Sequence, residues 1–238
     1  MGWLFNIKQR RAYLKAVKNT GEGLFAVSIL VSPQLKQDWA NVQNAPNLTN
    51  AQEWKIAREV LWYLLFQCDQ ILRFEFRVQN TNEVMSQITK RALAKFLASA
   101  FDFSSTSKDL REVQRRDLSV WQLEAEHEYK QPVQAIPVEQ HGELIRTGRL
   151  VPGGPLDRLC RRVEKAIGSP LTNTDSQAFD DAEPSPSVYE RIAKEGVSLE
   201  DILVTKVGAI GDSIGDMLME EEFWNTYYKK PSDQEARR

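Results

Sequence analysis

The sequence predicts an all-α protein. A helical bundle is expected over residues 1–131, followed by a Pro/Gly-rich extended connection with one short helix over 132–168. An acidic flexible linker over 169–187 then leads to a small C-terminal helical segment over 188–230. Three observations predict this. From Trp54 to Val78 no Gly or Pro intervenes, and the centre of that run, Val60 to Phe66, is apolar on every side, as in a helix enclosed by other helices. Apolar residues in the following segments recur at three- and four-residue spacing. Pro132, Pro137, Pro152 and Pro155, interspersed with Gly142, Gly148, Gly153 and Gly154, mark where that regularity stops.

Taken in order, the chain opens with a basic amphipathic helix. At 100° per residue Lys8, Arg11, Lys15 and Lys18 share one side, and Trp3, Ile7, Tyr13, Leu14 and Val17 are assigned to the other. Thr20 to Gly23 reads as a turn, Leu24 to Val31 as an apolar helix, and Pro33 as the start of a short helix over Gln34 to Val42. The central helix begins at Thr49 or Asn50, with Asn50 and Glu53 at capping-box spacing. Gln79 to Asn82 interrupts, and Val84, Met85, Ile88, Ala92, Phe96 and Leu97 then trace a helix face. Ser104 to Ser107 supplies cap residues for a helix over Leu110 to Tyr129. In the irregular stretch Val133 to Val138 allows a brief strand. Pro155 and Gly168 then bracket a short helix whose inner side carries Leu156, Leu159, Cys160, Val163 and Ile167. Helical patterning resumes from Val188 to Tyr228.

Composition narrows the function classes. The two cysteines, Cys68 and Cys160, stand 92 positions apart, which is neither a disulfide framework nor a short-spacer metal pair. The expected compartment is therefore reducing, such as the cytoplasm. The longest charge-free stretches fall short of the roughly 20 apolar residues a bilayer span needs. Net charge is only −2, yet residues 1–103 carry +5, residues 104–168 carry +1 and residues 169–238 carry −8. The first acid is Glu22, after Lys8, Arg10, Arg11, Lys15 and Lys18. Three readings of this start stand side by side: peripheral contact with an anionic membrane through Trp3, Lys8, Arg11, Lys15 and Lys18, an organelle presequence, or a helix packed on its own bundle with a solvated basic face. Gly2 is no myristoylation signal, because position 6 is Asn.

Catalytic patterns are thin. Glu124 and His127 have the i, i+3 spacing of carboxylate-bridged metal bundles, but the only other histidine, His141, has Val138 three positions before it. A metal-dependent enzyme using Glu124, His127 and the acidic residues of the tail is thus the alternative reading. Gly211 to Gly215 has Gly-x-Ser-x-Gly spacing around Ser213, yet no histidine follows it to complete a triad. The arginine clusters at 111–116 and 158–162 are interleaved with acids, which argues against nucleic acid. In the tail, Leu203, Val207, Ile210 and Ile214 form an apolar seam beside Gly208, Gly211 and Gly215, small residues that admit a second helix. The expected function is accordingly a non-catalytic adaptor or assembly protein without a cofactor, its partner another protein or a second copy of itself.

Overall fold

A computed structural model of the chain describes residues 2–41, 47–78, 80–100, 108–131, 150–151, 153–168, 197–220 and 223–224. The described residues are overwhelmingly helical and include no strand, so the protein is all-α. The helices are α1 (Gly2–Ala40), α2 (Asn50–Gln70), α3 (Thr81–Ala100), α4 (Lys108–Tyr129), α5 (Pro155–Ile167) and α6 (Leu199–Glu220), with a π-helical segment, Ile71–Glu75, following α2. The strand expected at 133–138, the acidic linker at 169–187 and the cap residues Ser104 to Ser107 lie outside the described residues. No described helix is long and apolar enough to cross a membrane.

The first correction concerns α1. Where the sequence suggests a turn at Thr20 to Gly23 and a new start at Pro33, one helix of 39 residues runs through all of them. Gly21 is a point of close approach: a Cβ there would lie 2.7 Å from the Ile88 carbonyl oxygen and 2.8 Å from Arg91 Cβ. At Gly23 it would lie 3.0 Å from Met217 Sδ. Pro33 sits exposed on the helix while Val31, Ser32, Leu35 and Trp39 are buried around it. Burial of that face and a 2.6 Å hydrogen bond from the Ser32 hydroxyl to the Glu53 carbonyl hold the helix together despite the donor that proline lacks.

The second correction concerns α2. Thr49 and Gln52, not Asn50 and Glu53, form its capping box: the Gln52 N–H donates to Thr49 Oγ1 at 3.2 Å, and the Thr49 N–H to Gln52 Oε1 at 3.0 Å. Glu53 instead pairs with Lys36 at 3.0 Å, and Lys36 also donates to Asn50 Oδ1. Nor does the helix reach Val78 unbroken. The Phe76 N–H donates to the Ile71 carbonyl, the wider π spacing, and the Val78 N–H donates back to Leu72. The inserted residue rephases the chain so that Leu72, Phe76 and Val78 are all buried, while Arg77 takes a left-handed φ of 52°.

The chain divides into two compact units that interleave along it. Unit 1 comprises residues 1–30, 64–122 and 209–238. Here α1 crosses α3 at Gly21, Phe25 meets Phe96 edge-on at 6.4 Å, Lys95 pairs with Glu22, and Trp224 Nε1 donates to Thr20 Oγ1 at 3.2 Å. Unit 2 comprises residues 31–63 and 123–208. Its short helix α5 is bounded as expected, with Pro155 in the first turn and Gly168 as a left-handed cap whose N–H bonds Glu164. Ser198 and Asp201 cap α6 reciprocally.

Candidate functional site

Among the described residues a dense polar constellation lies within unit 2, built around an acid inside the apolar centre of α2. Glu59 is 0% exposed between Ala57 and Val60. An ionised carboxylate in that position must be paired, because burial removes its water. The partner comes from α5, where Arg158 and Arg162 stand one turn apart on the face that also buries Leu159 and Val163. Arg162 Nε donates to Glu59 Oε2 at 2.7 Å, and its Nη1 donates to Glu128 Oε2 of α4 at 3.1 Å. Arg58 closes the other side, with Nη2 3.0 Å from Glu59 Oε1. Arg158 Nη1 donates to the Glu128 carbonyl at 2.6 Å. Tyr129 is buried beside them, its ring 6.5 Å from that of Tyr63.

Burial pushes the Glu59 carboxyl above the usual carboxylate range, against the pull of Arg162 and Arg58. Burial likewise lowers Arg58, opposed by Glu59. Burial works against Arg162 too, but Glu59 and Glu128 outweigh it and hold that guanidinium above its ordinary value. Burial raises the Tyr129 hydroxyl. Chemically the cluster is a charged fastening: the carboxylate of α2 is bridged to the end of α4 and to α5 by directional hydrogen bonds. Desolvation offsets much of what such a network gains, whereas loss of one partner leaves an uncompensated buried charge.

The residues singled out from the sequence fall in three places. Glu124 and His127 are exposed on α4, and Glu124 pairs with Lys165 at 3.4 Å. Among the described residues no three metal-ligating side chains are grouped to hold an ion. The tail seam faces the chain's own interior: Leu203, Val207 and Ile214 are buried, and Ile210 is half-buried. A Cβ on Gly208 would be 4.0 Å from Leu156, whereas one on Gly215 would meet nothing within 4 Å. The surroundings of Gly211 and the side chain of Trp3 lie outside the described residues. Ser213 is exposed and its hydroxyl donates back to the Ala209 carbonyl.

The basic side of α1 is the third place. Lys8, Arg11, Lys15 and Lys18 are all exposed, and among the described residues none of them has an acidic partner. The opposite side is occupied, since Val17 is buried and the Tyr13 ring meets that of Phe223 at a tilt, 5.6 Å between centroids. Sequence reasoning missed the buried cluster, although its signals were present: one acid inside an otherwise apolar run, and two arginines on the inner face of α5. No family model, no curated protein and no solved structure matches this chain.

Proposed function

We propose that the protein is a non-catalytic helical adaptor that makes protein–protein contacts and presents the basic side of α1 to an anionic surface. The observation that carries this reading is the contrast between its cations. In unit 2 Lys36, Arg162, Lys165 and Lys206 each sit within ion-pair distance of a carboxylate. Along α1 four cations share one exposed side without such a partner among the described residues. Like charges held together repel, and an opposing anionic surface relieves that repulsion. Burial of Leu203, Val207 and Ile214 within the chain favours α1 over the tail seam as the presented surface.

The test is a quadruple charge reversal, Lys8→Glu, Arg11→Glu, Lys15→Glu and Lys18→Glu. Cross-linking and mass spectrometry of wild type and variant in cells should show a set of partners lost from the variant while its circular dichroism and unfolding midpoint stay unchanged. An identical partner set for both proteins sinks the reading.

A further inference from the structure

The anionic surface can be narrowed, on the premise that the basic side of α1 is the working face. The apolar residues near the start of α1 do not form a single opposite side. Tyr13 and Val17 face the core of unit 1 and are engaged there. Leu14 is 45% exposed, and Ile7 is half-buried. On a helix of 3.6 residues per turn Ile7 and Leu14 fall nearly in line, roughly 20° apart, and that line borders the roughly 80° arc occupied by Lys8, Arg11, Lys15 and Lys18. Among the described residues a partly exposed aliphatic strip thus runs alongside a basic strip without an acidic partner, while Tyr13, Ala16 and Val17 carry the packed side of the helix.

We infer that this double strip is a membrane-contact surface: the four cations meet the headgroups of an anionic bilayer, and Leu14 and Ile7 enter the headgroup–acyl boundary. Charge complementarity selects an anionic partner, because each cation is drawn towards an anionic leaflet. The adjoining aliphatic strip selects lipid over nucleic acid, whose phosphate backbone has nothing apolar to place against Leu14. The contact is shallow, because the side of the helix beneath the strip is already committed to Phe223.

The experiment is flotation of the full chain with vesicles of phosphatidylcholine alone and with about one third phosphatidylserine, at about 0.1 M salt. A roughly ten-fold or greater enrichment on the anionic vesicles is expected. Leu14→Ser should lower that binding about three-fold or more while leaving the unfolding midpoint in place, since the side chain is half exposed. In a separate Leu14→Cys variant, an environment-sensitive dye at position 14 should shift to the blue on anionic vesicles. Equal flotation on both vesicles, none on either, or a dye that stays in water overturns the lipid assignment. Loss of flotation in the charge-reversed variant together with the dye shift upholds it. Retention on duplex DNA without lipid binding overturns it too, yet leaves the basic side as the working surface; failure of charge reversal to change any partner removes that premise instead.

Discussion

A methyl group at position 21 would sit 2.7 Å from a backbone carbonyl oxygen of α3, and backbone yields less readily than the end of a flexible side chain. At position 215 the same methyl would meet nothing within 4 Å. Both glycines lie inside helices, where Ala is intrinsically better by about 0.5 to 1 kcal/mol, so the two substitutions should part in sign. Urea unfolding of Gly215→Ala should show a gain of about 0.5 to 1 kcal/mol. In Gly21→Ala overpacking should outweigh propensity, for a net loss of about 1 to 2 kcal/mol. Equal effects at the two positions would mean that α1 and α3 do not approach closely at Gly21. The capping residue is a second case at this scale. Thr49→Ala removes the acceptor for the Gln52 N–H and should cost about 1 kcal/mol, with Asn50→Ala costing α2 less through capping.

The fastening of α2 to α4 and α5 is a property of elements. Glu59 and Arg162 are separated by 103 positions yet lie 2.7 Å apart with both side chains almost wholly buried. Removing one partner leaves the other charge in a poor solvent, so Arg162→Met should destabilise by about 3 to 5 kcal/mol. Glu59→Gln retains shape and some hydrogen bonding, and should cost less. The double variant should be more stable than the sum of the single losses predicts, with a coupling of about 1 kcal/mol or more in a double-mutant cycle. Additive losses would mean that the two side chains do not interact. The boundaries of α5, Pro155 and Gly168, were legible in the sequence because both act through local backbone geometry. The role of its arginines was not legible in the same way: Arg158 and Arg162 read as members of a mixed-charge surface cluster until the carboxylate of a distant helix is placed beside them.

Across the whole molecule, two compact units draw on the same helices at different points along the chain. Stability should carry a signature of the groups buried in each. Cys68 of unit 1 and Cys160 of unit 2 are buried, and burial pushes both thiols up, so neither ionises in the folded protein at moderately alkaline pH. In the unfolded chain a thiol ionises near pH 8.5. Above that pH the native state therefore holds more protons than the unfolded state. The contribution of each thiol is complete below the unfolded value and is lost as pH rises, by up to about 1.4 kcal/mol per pH unit. Urea unfolding under reducing conditions at pH 7, 9 and 10 should show the decline, and Cys68→Ala should roughly halve its slope, leaving the share of Cys160. A thiol reagent at pH 8 should modify both cysteines only as fast as the protein opens; immediate reaction of either would show that it is accessible.

The features legible in the chain alone are local and periodic. The all-α class, the buried centre of α2, the inward face of α3 at Val84, Ile88, Ala92 and Phe96, and the ends of α5 all follow from spacing, burial preference and capping chemistry carried within a turn or two of helix. Tertiary structure decided what depends on the neighbour. Gly21 and Gly23 read as a turn because glycine loosens a chain, yet both lie within one helix, where their missing side chains leave room for α3 and Met217. Leu14 and Val17 look alike in the amphipathic pattern, and packing alone buries one and leaves the other 45% exposed. Glu59 looks like an interruption of a core helix until Arg162 reaches it. Periodicity reports which side of an element prefers to leave water, whereas the identity of the group that meets it there is set by packing and by pairing between residues far apart in the chain.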